Sequence, residues 1–78
     1  MLKIDRMTSE TVEILVEGFC SAMGSIQVSY AGTNEIEAYK KYKAIKDVRR
    51  TMFWAKVRRG MVMGHEIIID WDIIEVIR

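Results

Sequence analysis

The chain has 78 residues, 50% of them apolar, with no proline, one cysteine, one histidine and a formal net charge of +1. That length holds one domain, taken as residues 1–78, and the apolar content argues against a disordered tail. One cysteine excludes an internal disulfide framework, one histidine excludes a His/Cys zinc cluster, and no apolar run approaches the roughly 20 residues of a membrane span. The first ten residues contain no hydrophobic signal core, so the expected location is intracellular, in the cytoplasm. Burial in so small a domain is marginal, because about 25 cal/mol per Å² of apolar area must offset about 1.5 kcal/mol of entropy per ordered residue. Self-association, most simply as a twofold dimer, is the expected supplement.

Residues 1–6 set Leu2 and Ile4 against Lys3 and Asp5, a pattern for a short strand or an extended arm. Over residues 9–23, Val12, Leu15, Val16, Phe19, Ala22 and Met23 gather on one side of a helical wheel, opposite Glu10, Glu13 and Glu17. That spacing predicts a first helix, capped by Thr8 or Ser9 and closed at Gly24. The alternation of Val12, Ile14 and Val16 offers a strand over 11–17 instead, but leaves Leu15 and Phe19 unexplained. Residues 25–31 alternate Ile26, Val28 and Tyr30 with Gln27 and Ser29 between two glycines, and read as a half-buried strand.

A second helix is expected over about 34–58. Asn34 is a suitable N-cap, and Glu35 and Glu37 then lie where the helix dipole favours negative charge. At 100° per residue, Ala38, Tyr42, Ile45, Val48, Met52 and Ala55 fall on one side and Lys40, Lys43, Lys46 and Arg50 on the other, with Gly60 closing the helix. The aromatic and branched residues of 51–58 also suit a pleated surface, so a strand there is the alternative. Strands are expected over 61–69 and 72–77, or one long bent strand in their place, since isoleucine and valine dominate there, with turns or bulges at Gly64 and at residues 70–72. The resulting expectation is an α+β domain, with two helices packed on a small, mainly antiparallel sheet.

The charge is unevenly placed. Lys40, Lys41, Lys43, Lys46, Arg49, Arg50, Lys56, Arg58 and Arg59 crowd a stretch whose only acid is Asp47, between two acidic flanks. Catalysis finds little support. Cys20 beside an apolar face reads as an inert hydrophobe, His65 with Glu66, Asp70 and Asp72 matches no metal loop, and the scattered glycines make no phosphate cradle. No cofactor or metal is expected, and the chain reads as a small non-enzymatic binding or regulatory protein. The basic helical face points to nucleic acid, with Lys40, Lys43, Lys46, Arg50 and Arg58 as the contacts and neighbouring aromatics available for stacking. The alternative is an inhibitor or adaptor module that meets an acidic protein surface through the same charges. Phe53, Trp54 and Trp71 are the expected oligomer contacts.

Overall fold

Thr11, Val12, Ile14 and Val16 favour extended backbone, and they fall within a single long strand, β1 (Met7–Cys20). The computed structural model describes residues 7–78, with side-chain environments from Ser9 onward. A turn over residues 21–24 returns the chain as β2 (Ser25–Gly32), which pairs antiparallel with β1 from Cys20↔Ser25 to Ile14↔Gly32. The helix α1 (Glu35–Ala44) then crosses over one face of the sheet to β3 (Arg50–Val62), which pairs with the opposite side of β1. A two-residue turn at Met63 and Gly64 leads into β4 (His65–Val76). The four strands lie in the order β2-β1-β3-β4, all antiparallel neighbours.

The 14 residues of β1 would reach about 46 Å if straight. The extent along the longest principal axis is 35 Å, in keeping with a coiled strand. Register shifts supply the bends, one between Val16 and Glu17 in the β1–β2 pairing, one between Met7 and Ser9 in the β1–β3 pairing, and two along β3–β4 that leave Ile69 and Ile74 opposite no partner.

Central strands β1 and β3 bury side chains on both faces. On the helix face, Ile14, Val16 and Met52 pack with Ala38 of α1, flanked by Tyr30, Tyr42, Ile45, Trp54 and Ile77. On the opposite face, Leu15, Phe53, Ala55 and Val57 are fully buried, with Ala31, Ile68 and Trp71 packed against them. Glu13 lies among these residues at 6% exposure. Arg59 meets its carboxylate with both ends of the guanidinium, at 2.6 and 2.9 Å, and the Thr11 hydroxyl donates to it as well.

Several expectations are corrected. The segment 9–23 is strand and turn rather than helix: Ile14 and Val16 face α1 while Leu15 faces the other way, the alternation of a strand covered on both sides. Val12, assigned to the buried helical stripe, is 52% exposed. The helix expected over 34–58 stops at Ala44, and its second half is β3, where Phe53 and Trp54 point to opposite faces. Gly60 therefore sits within β3 and closes no helix. Met61 and Val62 finish β3, residues 63 and 64 form the turn, and β4 is the one long bent strand of the two alternatives, with residues 70–72 inside it. Among the described residues the architecture is one four-stranded antiparallel sheet with a single short helix, rather than two helices on a small sheet. The pattern in residues 1–6 lies outside the described residues.

Candidate functional site

α1 begins as its sequence requires. Asn34 has extended backbone, its side-chain oxygen accepts from the Glu37 amide at 3.0 Å, and Glu35 and Glu37 occupy the first turn. Ala38 faces the sheet, Tyr42 and Ile45 pack beside it, and Ile36, Lys40 and Lys43 consequently project outward.

The end of α1 is fixed by Arg50. Its guanidinium donates to the backbone carbonyls of Tyr42 and Ile45, both at 3.0 Å, and lies over the Tyr42 ring at 4.4 Å. A cation here satisfies carbonyls left free by the last turn and complements the negative end of the helix dipole. Gly18 allows the helix end to approach the sheet, since a Cβ at that position would lie 2.4 Å from Cδ1 and 2.8 Å from Cγ2 of Ile45.

Each arginine between residues 49 and 59 has a structural partner. Arg49 donates through its side chain and backbone amide to Asp47, holding that carboxyl down at about 2, and its guanidinium lies 3.7 Å from the centre of the Phe19 ring. Arg58 bridges Asp72 and Asp70 on β4, whose hydrogen bonds push the Arg58 pKa up, and Glu10 of β1 lies at 3.7 Å. Arg59 pairs with Glu13 and reaches Glu66 at 3.4 Å. By contrast, Lys40, Lys41, Lys43 and Lys46 are exposed and none forms an ion pair among the described residues. Lys43 stands 5.9 Å over the Tyr39 ring, and Tyr39 itself stacks beside Tyr42 at 6.4 Å.

Of the five predicted contacts, Lys40, Lys43 and Lys46 thus lie on or just beyond one outward helix face. Arg50 is turned into the helix end, and Arg58 lies on the sheet, locked among acids. Lys56 is exposed on β3 beside Asp72, away from the helix lysines. Of the residues expected at an oligomer contact, Phe53 is fully buried, while Trp54 and Trp71 are half-buried against opposite faces of the chain's own core. Sequence reasoning missed the pairing of Arg58 with Asp70 and Asp72, which only strand register brings together. Asp47 and Arg49, two residues apart, carried a visible signal.

The chain matches no family model, no curated protein and no solved structure. Beside Lys46, an open cleft of about 500 Å³ runs between the β1–β2 hairpin and the exit of α1, lined by Gly18, Phe19, Cys20, Ser21, Gln27, Ser29, Ala44, Ile45 and Asp47 as well. Its lining is more apolar than polar. Cys20 and His65 lie at opposite ends of the coiled sheet, so they do not form a nucleophile and base. Among the described residues no cluster of His, Cys, Asp or Glu has the arrangement to hold a metal, and no helix is long and apolar enough to cross a membrane.

Proposed function

We propose that the protein is a small non-enzymatic binding protein that takes the phosphate backbone of nucleic acid on the lysines of α1 and its exit. The observation that carries this reading is the division of labour among the cations: arginines 49, 50, 58 and 59 are occupied within the fold, whereas Lys40, Lys41, Lys43 and Lys46 present unpaired charge outward. A lysine ammonium on a flexible stem suits phosphate oxygens met at varied angles, and with no base-reading motif such binding depends little on sequence. Arg50 and Arg58, engaged as they are, are not part of the proposed interface.

About four neutralised phosphates give a log–log salt dependence of roughly −3 to −4, depending on whether one strand or two are bound. The test is titration of labelled single- and double-stranded oligonucleotides at low salt, followed by the triple variant Lys40→Glu, Lys43→Glu, Lys46→Glu. Wild-type binding with that slope, lost in the triple variant while the thermal melt is unchanged, is the expected result. Absence of wild-type binding, or undiminished binding by the variant, overturns the proposal and leaves a module that meets an acidic protein surface as the better reading.

A further inference from the structure

The two edges of the sheet are chemically unlike. β4 carries Glu66, Asp70, Asp72 and Glu75 and is bent by two register shifts, features that discourage another strand from pairing there. β2 is the one strand of the four with no charged residue, and residues 25–29 are all exposed, with Ile26 at 47% and Val28 at 37%. From Tyr30 onward the strand becomes half-buried, and its register shift leaves Ser29 as the bulged residue at the end of this open stretch.

The open stretch reads Ser25-Ile26-Gln27-Val28-Ser29, which has the same chemistry in both directions about Gln27. We propose that this edge docks a second copy of the chain, by antiparallel pairing of residues 25–29 about a twofold axis through Gln27. In that register Ile26 lies opposite Val28 of the second copy, Ser25 opposite its Ser29, and the two Gln27 amides face each other. Every cross-strand pair is matched in kind: branched apolar with branched apolar, hydroxyl with hydroxyl, amide with amide. An unrelated strand has no reason to meet this pattern, whereas a second copy meets it by symmetry. No charge is desolvated, and the free N–H and C=O groups of the edge gain partners. The two four-stranded sheets become one of eight strands, with Ile26 and Val28 of both copies forming one apolar strip. This inference rests on the strand edge and not on the proposed lysine interface, although Gln27 and Ser29 also line the cleft beside Lys46.

The twofold axis brings the two residue-27 Cα atoms to about 4.5–5.5 Å, within the roughly 4.4–6.8 Å of a disulfide. Mild oxidation of Gln27→Cys in a Cys20→Ser background should therefore yield a covalent dimer, and Glu75→Cys on β4 in the same background should not. Sedimentation of the wild-type chain across the micromolar range should give the dimer mass. Gln27→Lys, which sets like charges face to face on the axis, should halve that mass with an unchanged far-UV circular dichroism spectrum. A monomeric wild-type chain, a dimer indifferent to Gln27→Lys, or cross-linking through Glu75→Cys in place of Gln27→Cys overturns the proposal.

Discussion

Replacing Gly18 by alanine tests how α1 is seated. In an ordinary strand the change is favourable by about 0.5–1 kcal/mol, because glycine has more conformational freedom to lose and no side chain to pack. Here the added carbon would lie 2.4, 2.8 and 3.0 Å from Cδ1, Cγ2 and Cγ1 of Ile45, so the whole side chain must move rather than its tip alone. Ile45 is also the C-cap residue, its amide bonded to the Tyr42 carbonyl at 3.2 Å and its own carbonyl taking Arg50 at 3.0 Å, which limits its freedom to retreat. Overpacking of this kind costs about 1–3 kcal/mol, and allowing for the favourable backbone term leaves a net loss centred on about 1 kcal/mol. For a domain of this size that is a fall in Tm of roughly 4–8 °C. Urea denaturation of wild type, Gly18→Ala, Ile45→Ala and the double variant gives the coupling directly. With Ile45 truncated, Gly18→Ala should become neutral or stabilising. A Gly18→Ala protein as stable as wild type, or one that loses the same amount in the Ile45→Ala background, refutes the close approach of helix and sheet.

Two further predictions concern the buried ion pair and the β3–β4 turn. Arg59→Met leaves Glu13 at 6% exposure without its bidentate partner and should cost about 3–5 kcal/mol at neutral pH. In the wild-type chain the Arg59 guanidinium holds the Glu13 pKa below its ordinary 4.5 against the opposing effect of burial, so the pair's contribution is full above that value and is lost as pH falls through the lowered one. In Arg59→Met that acid loss should be absent, and an unchanged acid limb in denaturation against pH refutes the assignment. Met63 has φ 51° and Gly64 φ 80°, the pattern of a two-residue turn in which both residues are left-handed. Met63→Asn should raise stability by about 0.5–1 kcal/mol, read as a higher Tm, and a lower Tm contradicts the turn geometry.

Features that depend only on neighbouring residues were legible in the sequence. Asn34 with Glu35 and Glu37 started a helix, the alternation of 25–31 marked β2 although Ile26 and Val28 stay exposed, and Gly64 marked a turn. Lys40 and Lys43 fell on the outer face of α1 because Ala38 and Tyr42 fix its inner one. What the sequence left open was set by burial on both sides of the sheet. Ile14-Leu15-Val16 and Met52-Phe53-Trp54-Ala55 lack the period of two because alternate residues enter two different clusters, and a continuous apolar run fits a helical wheel as readily as a doubly covered strand. Local spacing therefore favoured helices over 9–23 and 34–58, and only the pairing of β1 with β3 along their length decided otherwise. The same pairing decided the cations. Nothing near Arg58 or Arg59 in sequence marks their acids, which arrive by strand register from Asp70, Asp72, Glu13 and Glu66. A local pattern fixes which side chains share a face of one element; which face is covered, and which charge is already neutralised, depends on contacts between residues distant along the chain.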